Sequence, residues 1–247
     1  AQMGATLIVG SRDKERREEC RKRLLEEGAT EVVALELDLS SLESVASFCA
    51  ATNHAVEERS GIIDALVGVA AEIHLVPETT PEGIDRTFAT NHLGLHALVR
   101  GLTPSLLRSD GGNGGGGAEQ RRSRVVLVGS RLETKGSEHL NLDILESTDG
   151  AMLGTDQSSS SDSDSDSSSS SPMDRYAATK HGNMLLAQSL QTKWCESGPL
   201  VCVLTPGMVD TSLWRHFPLW YRAVTWPLRR VALRTADDAA LGIVWAV

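Results

Sequence analysis

SSSSDSDSDSSSSSPMDRYAATKHGNMLL, residues 158–186, joins a serine and aspartate tract to a helical pattern. The tract has almost no apolar surface to offset the entropy of ordering it. The second half carries Tyr176 and Lys180 four residues apart. Residues at that spacing share one face of a helix, so a phenol and an amine project together. A phenol titrates near pH ~10 and is a poor acid or base at neutrality. A neighbouring ammonium favours the phenolate and lowers that value, which suits the pair to proton transfer. Taken alone, the spacing is equally compatible with two ordinary surface side chains.

Outward from this helix, apolar runs alternate with helical patterns along the whole chain. ATLIVG (5–10), EVVALELD (31–38), IIDALVGVA (62–70), RVVLVGS (124–130) and LVCVLTPG (200–207) are expected to be strands. Helices are expected over 13–28, ending at Gly28, from a capping-box pair Ser40 and Glu43 to about Glu58, and over 83–107, 173–196 and 236–247. Strands apolar throughout, each followed by a helix, imply an α/β fold: a doubly wound parallel sheet covered on both faces. Two tracts interrupt the rhythm, GGNGGGG within 111–120 and the Ser/Asp tract within 154–171, and both are expected to be flexible surface insertions. Pro172 closes the second and lets the helix start afresh. The DSDSD run is not a calcium loop, since the sixth and twelfth positions are Ser167 and Met173 rather than Gly and Glu.

The chain has 247 residues, 40% of them hydrophobic, enough for the core of one α/β domain. A net charge of −9 argues against a nucleic-acid backbone as main partner. The four cysteines show no C-x-x-C spacing, so a reduced, intracellular setting is expected, and no metal. No run is apolar enough to cross a bilayer as a helix.

Three more features join the tyrosine and lysine. Ser130 ends the fourth strand, at the sheet edge where open α/β folds bind ligands. Asn91 lies in NHLG inside the long helical pattern, where Asn is a mediocre helix former. PGMVDTSL (206–213) follows the fifth strand, with Pro206 and Gly207 turning the chain. Together with EGIDRTFATNHLGLHALV and YAATKHGNMLL, this set resembles the short-chain dehydrogenase/reductase family. The branch it resembles contains retinol dehydrogenases, WW-domain oxidoreductases and protochlorophyllide reductases. The resemblance implies one NAD(P)-binding Rossmann-type domain over 1–247 and an oxidoreductase interconverting an alcohol and a carbonyl. It implies Tyr176 as catalytic acid/base, with Lys180 lowering its pKa and holding the nicotinamide ribose. It further implies Ser130 polarising the substrate oxygen and Asn91 supporting a proton relay. Pro206, Gly207, Val209 and Thr211 would adjoin the nicotinamide.

Some of the pattern departs from the family. The Gly-rich turn that cradles a pyrophosphate does not follow the first visible strand, and the Asn-Asn-Ala-Gly signature reads GVAA (68–71), where Ala70 alone matches. The domain is therefore expected to be truncated at both ends and to lack its first strand, which the family places between the strands at 5–10 and 62–70. Made as written, it is expected to be unstable and inactive. What remains of the cofactor site implies NADP rather than NAD: Ser11 and Arg12 lie where an adenosine ribose would sit, and an arginine suits a 2′-phosphate. Asp13 follows directly. Asp38 and Leu39 resemble the family's adenine-contacting pair. The segment 213–233 holds five of the chain's ten aromatic residues and four arginines without an acid. It is expected to be a lid for a lipophilic small-molecule substrate and a candidate for peripheral membrane contact, cytoplasmic or on an organelle. A catalytically inactive fragment or scaffold of the same fold is the competing expectation.

Overall fold

The computed structural model describes residues 5–59, 61–107, 122–137, 171–195, 198–209, 225–226 and 233–247. Both insertions, apart from Ser171, and most of 213–233 lie outside them, as does Thr211. β1 (Thr6–Ser11) leads into α1 (Lys14–Glu26), capped by Asp13, whose carboxylate accepts from the Arg16 amide. Gly28 then turns the chain at φ 95°, a left-handed conformation that glycine adopts without a side-chain clash. β2 (Glu31–Glu36) follows, then α2 (Leu42–Glu58). The cap of α2 is one residue later than expected. Ser41 accepts from the Ser44 amide, while the Ser40 hydroxyl donates to Asp38.

β3 (Ala65–Gly68) is shorter than its apolar run, because the Ile63 amide is spent on the Ser105 carbonyl of the next long helix. That helix is not regular. It opens as α3 (Arg86–Phe88) with Asp85 as cap, passes through a π-helical stretch Ala89–Leu93, and continues as α4 (Gly94–Leu107). β4 (Arg124–Val128), a short α5 (Glu133–Gly136) and α6 (Pro172–Trp194) complete the site-bearing half. Ser171 and Asp174 form a reciprocal capping box with Pro172 in the first turn, so α6 begins independently of the tract before it. β5 (Leu200–Leu204) stops short of Pro206, which has no amide to give a ladder, and α7 (Ala236–Ala246) follows.

All strand pairs among the described strands are parallel, as an α/β fold requires, and they form two sheets that part where the sequence reading places the missing strand. β1 pairs with β2, and β4 lies between β3 and β5. β1 and β3 are not hydrogen-bonded to each other. No strand among the described residues lies between them, so the ladder cannot run through. Val125 and Leu127 of β4 point to one face and Val126 to the other, and all three are fully buried. The first face packs on Val45, Phe48, Leu98, Leu102 and Leu186 of α2, α4 and α6, and each such side chain contributes about 1.5–3 kcal/mol. On β5, Leu204 packs against Gly242 of α7.

Candidate active site

The carboxyl ends of β4 and β5 carry the polar cluster. Val128 pairs with Leu204, and the Gly129 amide extends the ladder to the Leu204 carbonyl, so Ser130 and Thr205 leave neighbouring strand ends. The Ser130 hydroxyl stands close enough to the Tyr176 phenol to favour its ionised form. Tyr176 and Lys180 sit one turn apart on α6, and the Lys180 Nζ lies 5.6 Å from the centre of the Tyr176 ring. That ammonium is almost wholly buried and donates to the Val128 carbonyl at 2.7 Å.

The electrostatics differ from the simple expectation. Burial pushes the Tyr176 phenol up to about 12, only partly offset by the nearby Ser130 hydroxyl. Lys180 is aimed at the Val128 main-chain carbonyl. Burial also lowers Lys180 to about 8, opposed by the negative charge of Glu133. Glu133 is a site residue that motif reading missed. Its carboxylate accepts from the Ser130 amide at 3.3 Å and from the Thr205 hydroxyl at 3.4 Å. A legible signal was present, since an acid three residues after the strand-end serine falls on the next turn.

Asn91 is fully buried in the π-helical stretch. Its side-chain amide donates to the Glu72 carbonyl and its oxygen accepts from the Glu72 amide, both at 2.8 Å. The widened turn leaves the Asn91 carbonyl to accept from Asn183 Nδ2 at 2.9 Å, and Asn183 Oδ1 in turn meets His92 Nδ1 at 2.8 Å. Asn91 thus locks the segment after β3 onto α6, where Thr179 is also within 3.4 Å.

The other expected positions are more spread out. Arg12 follows β1 and pairs with Glu72 at 3.1 Å, with Asp38 at 4.0 Å. Asp13 is occupied as the α1 cap. Leu39 is buried in the hydrophobic core, whereas Ala70 is exposed. Thr205, Pro206 and Gly207 line a cleft of about 320 Å³ together with Arg131, Met208 and Arg234. Val209 bridges to Arg234.

Residues 1–141 match the short chain dehydrogenase family. The chain belongs to that family. It is similar to retinol dehydrogenase 14 of Mus musculus, 29% identical over 96% of this chain and 65% of the mouse protein. It is also similar to dehydrogenase/reductase SDR family member 13 of Bos taurus, 29% identical over 97% of this chain and 55% of the bovine protein. The chain thus spans somewhat over half the length of these short-chain dehydrogenase relatives. The fold is also that of an alcohol dehydrogenase from Thermococcus sibiricus complexed with 5-hydroxy-NADP. That match has a TM-score of 0.62 at 20% identity and covers 98% of this chain and 79% of the other. No helix among the described residues is long and apolar enough to cross a membrane.

For a nicotinamide cofactor the residues present fit at two ends. Lys180 brings a buried ammonium to the Ser130–Tyr176 pair, and Arg12 presents a partly exposed guanidinium at the end of β1. The described residues hold no Gly-rich strand-to-helix turn for the pyrophosphate between those ends.

Proposed function

We propose that this chain is part of an NADP-dependent oxidoreductase that interconverts an alcohol and a carbonyl on a lipophilic small molecule. The observation that carries this reading is the Ser130–Tyr176 hydroxyl pair with the buried Lys180 ammonium beneath it, at adjoining strand ends. Bound NADP would supply the hydride chemistry. Tyr176 would exchange the substrate hydroxyl proton, and Ser130 would donate to the substrate oxygen. Lys180 would hold the nicotinamide ribose and assist the phenol, which burial alone leaves a weak acid. Asn91, by fixing the chain after β3 against α6, would keep the relay to Lys180 in register. Arg12 supports a 2′-phosphate, since Asp13, the acid that could favour a bare ribose, is committed to capping α1. The similarity to retinol dehydrogenase 14 supports a lipophilic alcohol.

A second reading, a non-catalytic scaffold of the same fold, is favoured by GVAA (68–71) standing where the family carries Asn-Asn-Ala-Gly. Long-chain and retinoid alcohols with NADP, assayed alongside NADPH binding by calorimetry, separate the two. Tyr176→Phe is expected to lose turnover by about 10³-fold or more while NADPH affinity stays within about threefold. Turnover retained in that variant would remove the catalytic assignment. NADPH binding without turnover in the parent would favour the scaffold.

A further inference from the structure

Glu72 takes a place that neither the catalytic cluster nor the family pattern explains. It follows β3 in the run GVAAEIH, and its main chain is clamped by Asn91. The side chain is 5% exposed. Thr90 Oγ1 donates to its Oε1 at 2.6 Å, His74 Nε2 stands at 3.1 Å and Arg86 Nε at 3.7 Å. Its other oxygen, Oε2, accepts from Arg12 Nη2 at 3.1 Å. Burial opposes the charge of Glu72, but these partners hold its carboxyl below the ordinary value, so it is ionised at neutral pH.

The Arg12–Glu72 pair joins the ends of β1 and β3, two strands of different sheets. Arg12 thereby has one arm of its fork occupied, while Nη1 stands 4.0 Å from Asp38 Oδ1. Arg17 cannot replace it, because its Nη1 donates to the Ser11 carbonyl at 2.7 Å and the Arg12 carbonyl at 3.1 Å, and its Nη2 faces Glu36. Nor can Glu72 easily withdraw, with its main chain held by Asn91 and its other oxygen held by Thr90.

We propose that Glu72 is a specificity-determining residue at the adenosine end of the cofactor site, where its carboxylate competes with a 2′-phosphate for the Arg12 guanidinium. This rests on the reading of Arg12 as the 2′-phosphate partner. A phosphate monoester brings a charge of about −1.5 to −2 at neutral pH. It must share Arg12 with a buried negative charge, whereas a bare ribose meets no such repulsion. Glu72 therefore narrows the preference for NADPH over NADH that Arg12 alone would create.

The test is calorimetric titration of the protein with adenosine 2′,5′-bisphosphate, 5′-AMP, NADPH and NADH. The parent is compared with Glu72→Gln, Arg12→Ala and the double variant. Glu72→Gln is expected to tighten both 2′-phosphorylated ligands on the order of tenfold and to leave 5′-AMP and NADH within about twofold. The gain should vanish in the Arg12→Ala background. An unchanged or weakened affinity for adenosine 2′,5′-bisphosphate in Glu72→Gln would overturn the inference, since Glu72 would then be orienting Arg12 and not competing for it. If Arg12→Ala lowers NADPH affinity while Glu72→Gln is inert, the inference alone falls. If Arg12→Ala leaves the NADPH-to-NADH preference unchanged, or the parent binds no nucleotide, the cofactor reading falls and takes the inference with it. Should circular dichroism show Glu72→Gln unfolded, Glu72→Asp carries the test. It keeps the charge but draws it back by about one bond length, roughly 1.5 Å. A gain of about twofold or more for the 2′-phosphorylated ligands supports the competition, and no gain overturns it.

Discussion

Lys180 holds its ammonium at 2% exposure, where desolvation lowers it from 10.5 to about 8. A lysine with a depressed folded-state pKa penalises the fold when charged. The penalty is full below about 8 and disappears above the unfolded value near 10.5. A shift of that size corresponds to about 3 kcal/mol, offset by roughly 1 kcal/mol for the bond to the Val128 carbonyl. Lys180→Met is therefore expected to be more stable than the parent by about 1–2 kcal/mol at pH 7. The advantage should shrink as pH rises from 8 to 10.5, which denaturant melts across that range would show. An advantage independent of pH would mean that the ammonium is not desolvated. Of the residues in this cluster, Ser130, Tyr176, Lys180 and Asn91 were legible as chain-order motifs. Glu133 was legible only as an acid three residues after Ser130, and Glu72 was not, because nothing in a one-dimensional pattern says which acid faces which strand end.

The element that decides how the site is held is the broken helix from Arg86 to Leu107. Its apolar periodicity announces a helix, but not the π-helical turn at Ala89–Leu93 that frees the Asn91 carbonyl for Asn183. Gly94 closes this stretch, and its role lies in packing. A Cβ there would collide with the Leu39 main-chain carbonyl, which is not a flexible side-chain tip. Gly94→Ala is expected to cost about 3 kcal/mol, or roughly 6–12 °C in Tm. Calorimetry showing a shift under 2 °C would mean that the β2–α2 connection yields readily. The cap of α2 makes the same point on a smaller scale. Ser40 and Ser41 are both competent caps, and the hydrogen bond from Ser40 to Asp38 leaves the role to Ser41.

Over the whole molecule, the two sheets are unequal. The β3–β4–β5 sheet places Val125, Val126 and Leu127 in full burial, while α1, which packs on β1 and β2, has no buried residue. A two-stranded unit with so little buried surface should open without the rest. Native-state hydrogen exchange is expected to show the β1 and β2 amides exchanging at least about tenfold faster than those of β4. Equal protection would show that the Arg12–Glu72 pair and the shared packing of α2 and α4 make one cooperative unit.

From the sequence alone came the alternation of apolar strands with helices, hence the parallel α/β class, and the Tyr176–Lys180 spacing that brought the family into view. Both are periodic signals, carried by residues two or four apart and therefore local. The tertiary structure decided which distant groups meet. It divided the strands between two sheets. It aimed Lys180 at the Val128 carbonyl and gave Arg12 a buried carboxylate for a neighbour. Those outcomes depend on charge and burial summed over residues 50 to 60 positions apart in the chain, as Lys180 to Val128 and Arg12 to Glu72 are, and no local pattern encodes that sum.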